Sequence, residues 1–299
     1  VKSRLELEFD QRPSVLAYHL RALYPGLLRR PPPFPRLRAR WKASRADPAR
    51  LERFLEATGL GTEGGLPALY PQVITFPLQM VILTHRSFPL PIWKVLQIRN
   101  SLLLHRAIPV DAALDAEAAV VGQRVLEKGI ELDLHVGVRS GEALVWEGLT
   151  TYFYRGRFGQ AEPGAPLLTA PALAGSEVAR WRTDPGGGLR FSGLSGDYNG
   201  IHFWSAYARR FGFQGAIHHP HQLIGQCLAR LPEPAWSRQR LDLWLKGPVY
   251  YGDEVGLAAR EGQAGVDFTL TVAGSGRPAL LARRSEVEPG SRLLDPLVR

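Results

Sequence analysis

Asp197, Asn199 and His202 lie within six residues, in the glycine-flanked stretch SGDYNGIH at positions 195–202. A carboxylate and an imidazole this close in sequence can converge on one water molecule or one substrate proton. The carboxamide of Asn199 could orient either of them, although the same spacing also suits a plain turn held by an Asx-type hydrogen bond. Three further histidines follow in the run His218-His219-Pro220-His221. They contain no helical i, i+4 pair, and no cysteine or obvious acidic partner stands nearby, so no metal centre is expected. Trp204, Tyr207 and Phe211 recur at i, i+3, i+7. That spacing predicts a helical stripe turned toward the core or lining a binding tunnel.

These groups need a scaffold, and hydrophobic periodicity supplies one. Pro220 opens a helix expected over 221–231, since proline suits a first helical turn. Strands follow: Leu241, Leu243 and Leu245 alternate with polar residues, as do Val266, Phe268, Leu270 and Val272, and Gly274-Ser275-Gly276 turns into a strand at 279–283. The first half repeats this order. Pro77 begins an apolar helix through 83, and Ile130, Leu132, Leu134, Val136 and Val138 alternate at a period of two before Ser140-Gly141 turns into 143–154. This alternation puts His135 on the polar, exposed face. One apolar helix followed by antiparallel strands, occurring twice, reads as a degenerate duplication. An α+β architecture follows.

Upstream, Asp47-Pro48 starts a helix with Leu51, Phe54 and Leu55 on one face, ended by glycines from Gly59. Residues 156–190 are rich in Gly, Pro and Ala, and a linker is placed at 159–186. Gly186-Gly187-Gly188 lacks the lysine of a P-loop and reads as a turn. The domain reading is an extension at 1–65, a first unit at 66–158, the linker, and a second unit at 187–299.

At 299 residues with 45% hydrophobic content the chain is globular, not disordered. One cysteine, Cys227, excludes a disulfide framework and reads as a buried thiol. No signal-like amino terminus or 18-residue apolar run appears, so a cytoplasmic location without membrane contact is expected. The net charge is +9, from 37 Lys and Arg against 28 acids, and seven of the basic residues sit in the acid-free stretch 29–45 with its four prolines. This reads as an extended basic strap, either an arm for phosphate groups or a solvated segment. No nucleic-acid motif accompanies it, so no nucleic-acid partner is expected.

The stretch SGDYNGIH resembles the S-G-D-x-N-P-[ILV]-H signature of the MaoC-like dehydratases and (R)-specific enoyl-CoA hydratases. Phe211-Gly212-Phe213 with Ala216-Ile217-His218-His219 is similar to the family's G-F…I-x-H-G-M stretch, and PVYYGD at 248–253 to its P-V-x-P-G-D. The first half looks like the amino-terminal half of the two-hot-dog members, in YPQVITFPLQMVIL, FPLPIWKVLQIRN and VRSGEALVWEGLTTYFYRG.

The resemblance implies a double hot-dog fold, with an antiparallel sheet wrapped around central helices and a first unit that makes room for an acyl chain. It implies reversible hydration of trans-2-enoyl thioesters of CoA or acyl-carrier protein to (3R)-hydroxyacyl thioesters, without a cofactor. Asp197 and His202 would be the acid/base pair and Asn199 their polar support. Gly196, His219, Pro220 and His221 would face the substrate. Since the fusion supplies internally the pairing of two hot dogs, the implied assembly is a monomer or a homodimer.

The chain departs from the family twice. Gly200 replaces the proline after Asn199, and Pro220 replaces the glycine whose N–H donates to the thioester oxygen. Proline has no N–H. Its place at the helix start leaves the N–H groups of His221 and Gln222, or a protonated His218 or His219, to take over. A chain in which none does so would bind acyl thioesters without turning them over.

Overall fold

A computed structural model of the chain describes residues 5–23, 34–162, 169–173, 175–262 and 265–294. Leu5–Phe9 forms β1, and Val15–Ala22 forms α1, whose N-cap Ser14 accepts the Ala17 N–H. Leu37–Ser44 forms β2. Pro48–Thr58 forms α2, begun by the Asp47 carboxylate on two backbone N–H groups and ended by Gly59 in the left-handed conformation, φ 76°. Tyr70–Ile74 and Phe76–Leu83 form α3 and α4, and every residue of both is buried. A helix apolar on all sides belongs inside a core. The strands Val95–Leu104 (β3), Leu114–Leu126 (β4), Gly129–Ser140 (β5) and Ala143–Arg155 (β6) follow.

The second half runs Ser176–Arg182 (β7), Gly188–Ser195 (α5), Ser205–Arg209 (α6) and Pro220–Leu228 (α7). Gln239–Leu245 (β8), Glu254–Gly262 (β9), Gly265–Val272 (β10) and Pro278–Glu286 (β11) complete it.

The described residues build one 11-stranded sheet in the order β1-β2-β4-β5-β6-β3-β8-β11-β10-β9-β7. From the β3–β8 seam outward, each half places its first long strand, then its last, then the third, then the second, and then the strand that precedes its central helices (β2 or β7), with β1 added in parallel beyond β2. The duplication expected from periodicity is thus a topological two-fold about the seam. Within it Asn100 pairs with Leu243, Ser101 with Asp242, and Leu102 with Leu241.

Ile130, Leu132, Leu134, Val136 and Val138 are each 1% exposed or less and share one core cluster with α4 and with Leu223, Ile224 and Cys227 of α7. Burying each such aliphatic side chain contributes roughly 1.5–3 kcal/mol. The opposite face of β5, expected to be solvated, is occupied by ion pairs. Arg124 contacts Glu131 and Asp133 at 2.8 and 2.7 Å, and Arg99 contacts Glu131 at 2.6 Å.

Four expectations need correcting. His135 is not simply exposed: its Nε2 lies 3.0 Å from Glu147, which also meets His105 at 2.8 Å. The described part of the basic strap is strand β2, whose Arg38 and Arg40 are paired to Glu117 and whose Lys42 meets Glu8, so these cations are not a free phosphate arm. Residues 29–33 lie outside the described residues. The 159–186 stretch contains β7, paired antiparallel to β9, while 163–168 and 174 lie outside the described residues. Finally, Trp204 and Phe211 are exposed at 58% and 42%: α6 spans only five residues, and the aromatic rings stack on one another rather than entering the core.

Candidate active site

Helix α5 ends at Gly196, which adopts φ 89° and returns its N–H to the Ser192 carbonyl at 2.7 Å. Two constraints require glycine there. The left-handed backbone disfavours side chains, and a Cβ would stand 2.6 Å from the Tyr18 hydroxyl oxygen. Tyr18 of α1 donates its hydroxyl to the Gly196 carbonyl at 2.6 Å, and Arg12 donates to the Leu194 carbonyl at 2.9 Å. A segment some 180 residues upstream therefore clamps the turn that delivers Asp197.

Asp197 Oδ1 accepts the Asn199 N–H at 3.2 Å, and Asn199 Oδ1 accepts the Ile201 N–H at 3.3 Å. The side-chain oxygen of Asn199 is spent capping the short 3-10 turn Gly200–His202. This turn carries His202 back toward the carboxylate. His202 Nδ1 lies 3.1 Å from the Ile217 carbonyl, which only accepts, so that nitrogen donates and Nε2 faces Asp197 Oδ2 at 3.5 Å. Tyr251 donates its hydroxyl to the His202 carbonyl at 2.8 Å.

His219 joins the pair. Its ring stacks on His202 with centroids 3.8 Å apart and planes inclined by 24°, and Phe191 lies 5.0 Å away. Its Nε2 donates to the Gly188 carbonyl at 3.2 Å, and its Nδ1 turns to Asp197 Oδ2 at 3.8 Å. Asp197 keeps 25% side-chain exposure while both imidazoles are buried, so substrate or solvent reaches the cluster at the carboxylate.

Burial acts on every member. It lowers the proton affinity of His219 well below the ordinary histidine value, and His202 beside it adds to that, so the His219 ring is neutral. Burial also opposes ionisation of Asp197. The hydrogen bond from His202, the favourable electrostatics of the His202 and His219 imidazoles and the Asn199 N–H outweigh it and hold the carboxyl well below its usual range. His221 is pulled down to about 4, chiefly by burial. Its Nε2 lies 2.9 Å from Asn100 Oδ1 of β3. Tyr152 donates to Gln79 at 2.8 Å and lies near enough for the Asp197 charge to raise its hydroxyl further, after burial.

Pro220 is the first residue of α7, and His219 is its N-cap, without a side-chain cap bond. The N–H groups of Gln222 and Leu223 bond to the His219 carbonyl at 3.1 and 3.4 Å. Gln222 is therefore not the free donor expected from the sequence. Among the described residues the N–H of His221 finds no partner, and it carries the positive end of the helix. His218 packs its ring on Tyr251 at 4.1 Å, and burial lowers its proton affinity, so a protonated His218 is not the favoured substitute either.

Asp197, His202 and His219 are also the described residues whose ligand atoms gather within 4.8 Å. Imidazole ligands need the metal in the plane of each ring, about 2 Å from nitrogen. Two stacked rings inclined by only 24° have planes that do not meet so close, and the cluster suits protons and water better than a metal ion.

The arrangement thus joins six of the seven residues expected from sequence: Gly196, Asp197, His202, His219, Pro220 and His221. Asn199 is held nearby as a turn cap. Tyr18, Arg12, Asn100 and Tyr251 were not foreseen, because no local spacing ties them to the catalytic stretch.

No family model matches the chain. The sequence is 29% identical over 237 residues to 3-hydroxyacyl-thioester dehydratase X of Mycobacterium tuberculosis, covering 79% of this chain and 84% of the relative. A crystal structure of HtdX from that organism superposes with a TM-score of 0.71 at 26% identity, covering 84% of this chain and 100% of the other. A MaoC-like dehydratase from Phytophthora capsici gives 0.70 at 18% identity, covering 88% and 97%. A Mycobacterium tuberculosis protein described as a double hotdog fold gives 0.51 at 15%, covering 93% and 94%, a likeness of fold alone. Sequence likeness, the two-fold sheet and the D-x-N-x-x-H loop agree: the chain has a double hot-dog fold and is similar in sequence and structure to a 3-hydroxyacyl-thioester dehydratase.

Proposed function

We propose that the protein interconverts trans-2-enoyl and (3R)-3-hydroxyacyl thioesters, of CoA or acyl-carrier protein, with Asp197 and His202 as the acid/base pair. The two hot-dog units are read as meeting at the β3–β8 seam, the first including β2 and the second beginning with β7 rather than at 187. The observation that carries the proposal is the facing of Asp197 Oδ2 and His202 Nε2 at 3.5 Å, beside the start of α7.

In the hydration direction, one member of the pair takes a proton from water as the water oxygen bonds to C3. The C2=C3 π electrons move toward the thioester carbonyl, and the other member returns a proton to C2. One water is consumed and no electrons leave the substrate. The transient negative charge falls on the thioester oxygen, where a hydrogen-bond donor typically contributes roughly 2.7–4 kcal/mol. With Pro220 lacking an N–H, the backbone N–H of His221 serves this role. The free His221 N–H disfavours the reading in which Pro220 leaves a binding-only protein.

The test is spectrophotometric turnover of trans-2-enoyl-CoA substrates of several lengths. Asp197→Asn and His202→Gln should each lower kcat/KM by about 10²–10⁴-fold, the contribution of a positioned acid or base. Wild-type activity retained in both variants would remove the assignment.

A further inference from the structure

Asn100 reaches the site from the half of the chain that carries none of the D-x-N-x-x-H residues. Its Nδ2 donates to Thr150 Oγ1 at 2.9 Å and to the Leu149 carbonyl at 3.4 Å, while Gln97 Nε2 approaches its Oδ1 at 2.5 Å. This network fixes which end of the carboxamide is which. The oxygen is left to meet His221, so His221 Nε2 must be the donor of their 2.9 Å hydrogen bond. Thr150 is itself held by Gln72 Nε2 at 3.2 Å. All four residues, Gln72, Thr150, Asn100 and His221, are buried.

His221 follows Pro220 at the start of α7, where its N–H has no partner among the described residues. A histidine at such a position could hold its proton on either nitrogen or carry two. The choice decides what the ring offers the site. With Nε2–H committed to Asn100, Nδ1 is a bare acceptor, able to receive a hydroxyl or amide N–H of a bound thioester. The charged or titratable groups bearing on the ring are Asp197, His202 and His219. From β3 the ring meets the Asn100 carboxamide, which is neutral.

We propose that Asn100 is a positioning residue of the dehydratase site: it locks His221 as the neutral Nε2–H tautomer and anchors the first turn of α7 across the β3–β8 seam. The first hot dog then helps to shape the catalytic centre as well as lodging the acyl chain. The functional part of this inference rests on the dehydratase reading, while the tautomer itself does not.

Two measurements separate these. Nitrogen-15 NMR of the histidine rings in the substrate-free protein should show His221 with a protonated Nε2 and a bare Nδ1, unchanged from pH 5.5 to 8. In Asn100→Asp a carboxylate faces Nε2, so His221 should titrate within that range, and the kcat/KM profile should gain an ionisation between pH 5 and 7 that wild type lacks. Asn100→Leu should lower kcat at least 10-fold with a smaller change in KM. Thr150→Val, which removes one of the groups orienting Asn100, should give a weaker version of the same change and covers the case in which Asn100 variants fail to fold. A wild-type His221 found as Nδ1–H or doubly protonated overturns the inference. So does an Asn100→Asp profile that runs parallel to wild type. Absence of turnover with every enoyl thioester, alongside the expected tautomer, would instead fault the dehydratase reading.

Discussion

Lowering the pH from 7 to 5 should destabilise the fold, and substituting His221 should remove a defined part of that loss. The unfolded chain takes up a proton at His221 near pH 6.5, whereas the buried ring does so only near 4. Between those values the unfolded state binds more protons, so stability is complete above about pH 6.5 and falls as the pH drops through the window. For a shift of that size the loss at pH 5 is about 2 kcal/mol, against a few tenths at pH 7. His219, His218 and His85 are lowered in the same direction and add to the slope. The depressed Asp197 acts in a separate window: its contribution is present above the ordinary carboxylate range and is lost as the pH falls below it. The assay is urea unfolding of wild type and His221→Gln at both pH values. Glutamine keeps a donor for Asn100 but does not titrate. The variant should lose about 2 kcal/mol less than wild type between pH 7 and 5, whatever its stability at pH 7. Equal losses in the two proteins would refute the reasoning, because they would mean that His221 protonates alike when folded and unfolded.

Tyr18→Phe leaves the buried Gly196 carbonyl without its donor and should cost about 1–3 kcal/mol, measurable by thermal unfolding, with a fall in kcat as the Asp197 turn loosens. Gly196→Ala faces both a φ of 89° and the Tyr18 oxygen, so it should destabilise more than Tyr18→Phe in the same assay. Cys227 is fully buried and its thiol is pushed up to about 12, so an aromatic disulfide reagent should leave it unmodified in the native protein and react with it in denaturant. Trp204→Ala removes a side chain that is 58% exposed and should change stability by no more than about 0.5 kcal/mol.

The second half was the more legible in sequence. The alternation of β8 and β10 and the proline at the start of α7 each follow from a local rule, and the D-x-N-x-x-H stretch holds its own turn through Asp197 and Asn199. Periodicity also found β5, and the β-branched and aromatic run after Ser140-Gly141 found β6. Periodicity misjudged His135, because its partner Glu147 lies on the neighbouring strand β6, where it also meets His105 just past β3. The aromatic spacing of Trp204, Tyr207 and Phe211 suggested a buried stripe, but Gly212, at φ 86°, follows a helix too short to present one. Charge alone could not show that Arg38 and Arg40 meet Glu117, since that pairing depends on β2 lying beside β4. Tyr18 and Arg12 carry no local signal, and Asn100 closes the stretch FPLPIWKVLQIRN, whose spacing says nothing of the site. Their partners lie 178, 182 and 121 residues away along the chain.

The seam between β3 and β8 has a consequence for how the two halves can diverge. Were the halves identical chains, a two-fold axis through the seam would make every off-axis pair twice, i with j and j with i, and any substitution would strike twice. Here Asn100 stands opposite Leu243, and Ser101 donates to Asp242 at 2.6 Å. Each of these pairs is made once in the seam, as separately encoded halves allow, and a peptide chain, not mass action, joins those halves. The pairing is unimolecular and survives any dilution. One position can serve a histidine in the site while its symmetry mate remains free to fill the core.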